Sequence, residues 1–111
     1  MAEDLIDRNI LAELQQTVGS EFVAELVDTF LEEAPQMLAE LRSALAARAA
    51  DPFRRTAHSL KTNALTFGAL ALGAQARALE LGGFPSDATG LDALETAYAE
   101  TATKLRTFVH E

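Results

Sequence analysis

His58 is the one residue in this chain whose type and company suggest chemistry. Phe53, Ala57, Leu60, Ala64 and Phe67 are spaced by four, three, four and three residues, the repeat of one apolar helix face. The spacing predicts a helix from about Pro52 to Phe67. At about 100° per residue, His58 lies roughly 140° from the centre of that stripe, on the solvent side. Arg54 and Lys61 fall between the stripe and His58, and Arg55 and Thr62 fall just beyond it. An imidazole presented this way can be reached by another protein, and the cations around it suit it to carry an anion.

Other chemistries find no support. Ser59 adjoins His58, and adjacent helical residues point about 100° apart, so the two cannot form a nucleophile–base pair. There is no glycine-rich phosphate loop and no G-x-S-x-G elbow. The groups nearest His58 are bases, which would repel a metal ion, so neither a metal site nor a cofactor is expected. The second histidine, His110, falls in the last turn of the last predicted helix, where a cation suits the helix dipole.

The elements that must position His58 are all helical. Asp7 can cap a short first helix, with Ile6 and Leu11 as a hydrophobic staple, ending near Val18-Gly19. Ser20 is placed to cap a long second helix from about 20 to 48, with Val23, Val27, Phe30, Ala34, Met37, Leu38, Leu41 and Leu45 on its apolar face. Pro35 should kink or briefly break it near Glu33–Pro35. Asp51-Pro52 reads as an N-cap followed by proline at the first helical position of the His58 helix, and Gly68 as its terminator. A fourth helix follows from about Ala69 to Leu81, with Leu72, Ala76 and Leu79 inward. Gly82 to Asp87 is the clearest loop. The last helix starts near Thr89, with Leu91, Leu94, Tyr98, Leu105 and Phe108 inward and Thr101 as a polar step. The expected fold is all-α: an antiparallel four-helix bundle with a short additional N-terminal helix, as one domain over residues 1–111.

Composition agrees. Apolar residues make up 49% of the 111, enough for one packed core. There is no cysteine, hence no disulfide framework or thiolate site. No apolar run nears the ~18 residues of a membrane span. The acidic start, Met-Ala-Glu-Asp, lacks the apolar stretch of a signal segment. A soluble cytoplasmic protein is expected. The net charge of −8 argues against nucleic acid as a partner. Its distribution is uneven: residues 1–50 carry −7, residues 51–67 carry +2 and residues 68–111 carry −3. The one net-positive segment holds His58.

The run Ala57-His58-Ser59-Leu60-Lys61-Thr62-Asn63-Ala64-Leu65-Thr66-Phe67-Gly68-Ala69 resembles the histidine phosphotransfer (HPt) domains of bacterial phosphorelays, whose pattern is H-x-L-K-G/S-x-A/S with a later Gly-Ala. Leu79-Glu80 is similar to the Leu-Glu of the family's next helix, and Phe30 to Pro35 to its second helix. The resemblance extends from about Asp7 to Glu80; the last helix matches only as a generic bundle helix.

The resemblance implies a phosphocarrier without ATP-dependent kinase activity. His58 would accept a phosphoryl group from a receiver-domain phospho-aspartate and pass it to another receiver. Response-regulator receivers and a hybrid sensor histidine kinase are the implied partners, and the carrier is expected to be a monomer. Lys61, one turn from His58, would reach the phosphoryl oxygens. Glu80 matches the position from which some members hydrogen-bond the imidazole and fix its tautomer. Arg54 could assist or steer. Thr62 stands where many members have Gly or Ser, and should crowd the receiver's approach. Leu65 beside His58 would make a docking contact. Two rival readings are a degenerate, non-catalytic helical scaffold and a small enzyme using His58 as a general base, which would need a concave pocket.

Overall fold

A computed structural model describes residues 5–110. The acidic Met1–Asp4 start and Glu111 lie outside the described residues. The helices are α1 (Arg8–Val18), α2 (Ser20–Ala46), α3 (Ala50–Thr66), α4 (Leu70–Leu81) and α5 (Thr89–His110).

The apolar stripes fix their packing. On α2, Val23, Val27, Phe30, Leu31, Ala34, Leu38, Leu41 and Ala44 are buried, with Met37 and Leu45 half-buried. All five stripe residues of the His58 helix, Phe53 to Phe67, are buried. Leu72 and Ala76 on α4 and Leu91, Leu94 and Leu105 on α5 complete the core. Each large side chain withdrawn from water contributes about 1.5–3 kcal/mol. The core therefore dominates the fold, and the exposed face of α3 is left free for other work. Around the ring, α2 packs on α3 and α5, and α4 packs on α3 and α5; α1 rests on α2. This is the antiparallel four-helix bundle with an added N-terminal helix.

Helix ends account for most departures from expectation. Asp7 does cap α1, its carboxylate accepting from the N–H of Asn9 at 3.0 Å. Gly19, not Ser20, is the N-cap of α2; Ser20 is already helical. Helix α2 runs unbroken through Pro35. Burial of Leu31, Ala34 and Leu38 on either side of the proline outweighs one lost backbone bond. It ends at Ala46, two residues early. The chain turns there through Arg48 at φ 56°, with Arg48 N–H donating to Leu45 O and Ala49 N–H to Ala44 O. This is the glycine-type helix stop made with an arginine.

That turn also displaces the start of α3. Ala49 is the N-cap, so Asp51 and Pro52 are the second and third helical residues rather than cap and first. Both suit the place: Asp51 faces the positive helix end, and a proline in the first turn gives up an N–H that has no helical acceptor. Leu79, expected inside, is half-buried. Asp87 caps α5 from the loop, accepting from Thr89 N–H at 3.0 Å.

Gly68 joins three elements. Its φ of 72° closes α3, with Gly68 N–H donating to Leu65 O and Ala69 N–H to Ala64 O. Its carbonyl accepts from Asp7 N–H at 2.7 Å. A Cβ at Gly68 would stand 2.7 Å from Asp7 O. The start of α1 is thus pinned against the turn that sets α4 beside α3.

Candidate functional site

The α3–α4 hairpin brings His58 and Glu80 together. Nδ1 of His58 lies 2.7 Å from Oε2 of Glu80. Lys61 Nζ lies 2.9 Å from the other oxygen, Oε1. One carboxylate therefore holds two side chains of the neighbouring helix. Exposure sorts their roles: the side chain of Glu80 is 11% exposed, Lys61 19% and His58 55%. Glu80 is shielded by its partners, while the imidazole stays open to solvent.

The electrostatics follow. Lys61 is the main influence holding the Glu80 carboxyl below its ordinary value. Partial desolvation pushes the other way, and His58 adds to the lowering. An ionised carboxylate only accepts hydrogen bonds, so Nδ1 of His58 must donate. In a neutral ring the lone pair is then on Nε2.

Each residue singled out from the sequence can be placed. His58, Lys61 and Glu80 form one linked group. Arg54 is exposed and sits 3.9 Å from Asp51, a loose pairing within the first turns of α3. With Arg55, His58, Ser59 and Glu80 it lines an open depression of about 350 Å³. Thr62 is exposed one turn after His58, and its carbonyl accepts from the Thr66 hydroxyl. Leu65 is 42% exposed and lies over Gly73 of α4; a Cβ on Gly73 would fall 2.5 Å from Leu65 Cδ2. Towards α2, a narrow groove of about 150 Å³ runs between Leu26, Thr29, Phe30, Glu33, Asn63 and Phe67. Among the described residues no group of three or more His, Asp or Glu converges as a metal-binding cluster. None of the described helices is long and apolar enough to cross a membrane.

The Hpt domain family model matches residues 25–104, which takes in the His58–Lys61–Glu80 group and most of the bundle. The chain belongs to the Hpt family. Among solved structures, this Hpt domain is similar to histidine-containing phosphotransfer protein B (HptB) from Pseudomonas aeruginosa PAO1. The two are 31% identical, with a TM-score of 0.77 over 94% of this chain and 90% of that one. A search of curated proteins finds no match. Hpt domains are phosphocarrier modules rather than kinases, and a general role in phosphotransfer relay follows for this one.

Gly73 is a site residue with no chemistry of its own to mark it in the sequence. Its signal is spacing: Gly73 precedes Glu80 by two helical turns, so the two share the α4 face turned to α3. His110 has a partner besides the helix dipole. Its Nε2 lies 3.0 Å from Asp28 Oδ1, tying the end of α5 to α2, a contact across the fold with no local mark in sequence.

Proposed function

We propose that this Hpt domain carries phosphoryl groups on Nε2 of His58 between receiver domains. The observation that carries the reading is the Nδ1 contact to Glu80, which leaves Nε2 as the free nucleophile on an exposed ring. In the forward step, the Nε2 lone pair attacks phosphorus of a phospho-aspartate. The P–N bond forms as the P–O bond to aspartate breaks, and the aspartate leaves as carboxylate. The Nδ1 proton stays between His58 and Glu80, and Glu80 balances the positive charge that the ring gains. Transfer to a second receiver reverses these bond changes on a new carboxylate.

Lys61 has a divided role. In the resting state it is held by Glu80. Three phosphoryl oxygens arriving one helical turn away compete for it, and a charge-assisted contact there favours the phospho-form. Arg54 and Arg55, at the depression beside His58, steer an anionic partner. Thr62 and Leu65 form the docking surface around the imidazole. The receivers it exchanges phosphoryl with belong to response regulators and to a hybrid sensor kinase, and the carrier acts as a monomer in the cytoplasm.

The test is phosphoryl transfer from radiolabelled phospho-receivers to the purified protein. The label should be acid-labile and alkali-stable, as a phosphoramidate is, and His58→Ala should abolish it with helicity unchanged. Undiminished labelling of His58→Ala would sink the proposal. ATP alone should give no label.

A further inference from the structure

Helix α4 presents more to the His58 surface than Glu80. Gly73 and Glu80 are the points at which α4 meets the exposed side of α3: Gly73 lies under Leu65, and Glu80 holds His58 and Lys61. Arg77 is one turn after Gly73 and one turn before Glu80. Helical geometry puts it between them, just outside the contact line, on the solvent side. It is exposed, and it forms no ion pair with another described residue. Leu70 and Leu81 fall on the same edge of α4, seven residues before and four after Arg77. They are 41% and 64% exposed. With Leu65 across the hairpin, three exposed leucines and one cation line the α4 side of the surface that holds His58.

This arrangement is not what solvation alone asks for. The chain carries −8; Lys61 is held by Glu80, Arg54 and Arg55 line the depression with His58, and Arg77 is the one cation that α4 itself offers to the solvent edge of this surface. Exposed apolar side chains with a cation beside them suit an interface, apolar at its centre and polar at its rim, where charge chooses partners more than it adds affinity. A phospho-receiver arrives anionic.

We infer that Arg77 is a specificity-determining residue: it pairs with a carboxylate on the docking rim of a receiver seated over His58, and so selects among receivers. The inference rests on the phosphotransfer reading above. Arg77 touches neither the phosphoryl group nor Nε2, so it acts on encounter and not on the chemical step.

The experiment measures transfer from phospho-receivers over a range of receiver concentrations, for the full chain and for Arg77→Ala, Arg77→Glu and Arg77→Lys. Arg106→Glu on α5, across the bundle from α3, controls for net charge. For the preferred receiver, Arg77→Ala should raise the half-saturating concentration by up to about fivefold, the size of an exposed ion pair. Arg77→Glu should raise it further, and Arg77→Lys should restore most of the loss. The limiting transfer rate and the melting temperature should hold in all of them, and the loss should shrink at high salt. Equal effects of Arg77→Glu and Arg106→Glu, or a fall in limiting rate alone, would overturn the role of Arg77 while leaving His58 as phosphoacceptor. Failure of the unmodified chain to take label from any receiver would overturn both.

Discussion

Glu80 reaches Nδ1 of His58 at 2.7 Å from a different helix, so the orientation of the imidazole is set by the packing of α4 on α3 and not by α3 itself. Removing the acceptor should therefore cost transfer more than weakening it. Glu80→Gln keeps a carbonyl oxygen that can accept from Nδ1–H; Glu80→Ala keeps nothing. Transfer should fall modestly in the first and by about tenfold or more in the second, on the scale of a lost charged hydrogen bond. Nitrogen NMR of the neutral ring should show the proton on Nδ1. A ring protonated mainly on Nε2 would contradict the assignment of the nucleophile.

The same carboxylate should titrate low. Lys61 first, and His58 after it, hold Glu80 below its ordinary value against partial desolvation. A depressed folded value means that Glu80 contributes stability above the unfolded carboxylate pKa of about 4.3. That contribution declines as pH falls past this value and is gone below the folded one. A carbon-13 titration of the Glu80 carboxyl should have its midpoint below the ordinary value. Lys61→Ala should move that midpoint up more than His58→Ala does, because Lys61 is the larger cause. An unchanged midpoint in Lys61→Ala would show the ion pair to be of no consequence in solution.

Two glycines on the hairpin should answer alanine differently. At Gly68, φ is 72° and the new Cβ would press on backbone, 2.7 Å from Asp7 O. The left-handed conformation alone costs about 1–2 kcal/mol with a side chain, and α1 must also shift. Gly68→Ala should lower stability by about 2 kcal/mol or more in denaturant unfolding. At Gly73 the clash is with the side chain of Leu65, Cδ2 at 2.5 Å and Cγ at 2.9 Å, and not with backbone. Leu65 is 42% exposed and can swing as a whole towards solvent, and alanine gains up to about 1 kcal/mol of helix propensity to offset that shift. Gly73→Ala should leave stability near neutral while altering receiver docking. Comparable destabilisation at both sites would refute the distinction.

Thr101 offers a test inside the core. It is fully buried on α5, and its hydroxyl has no hydrogen-bond partner among the described residues. A buried unmatched hydroxyl costs about 1–3 kcal/mol. Valine has nearly the same shape and similar helix propensity. Thr101→Val should raise the melting temperature by a few degrees. A lower melting temperature would mean that the hydroxyl is satisfied after all, for instance by water.

What was legible in the sequence follows from the range of each interaction. The periodic stripes gave the helices, because burial is set by spacing within one helix, and they put His58 outward and Phe53 to Phe67 inward. Helix ends were less legible because they depend on competing local bonds. Arg48 takes a left-handed stop that glycine usually marks, and this moved the start of α3 two residues ahead of the Asp51-Pro52 signal. Glu80 could be paired with His58 only through family resemblance, since nothing local says which residue of α4 faces α3. The sharing of Glu80 between His58 and Lys61 was invisible for the same reason.

Docking around His58 supplies the last test. Thr62 is exposed one turn beyond the imidazole and Leu65 lies at the α3–α4 seam, so both should meet a receiver without supporting the core. Leu65→Asp should weaken receiver binding, since it puts a negative charge where an anionic partner must approach, and unfolding should change by less than about 1 kcal/mol. Thr62→Gly works in the opposite sense on binding. It removes the side chain that limits approach, at a cost of about 1 kcal/mol of helix stability or less. The variant should be less stable yet accept phosphoryl from a wider set of receivers. Amide-shift mapping with an added receiver should centre on His58, Thr62 and Leu65, with weaker changes along the α2 groove at Leu26 and Thr29. Shifts centred instead on α5 around Tyr98 and Leu105 would place the partner on the wrong face of the bundle and end this docking model.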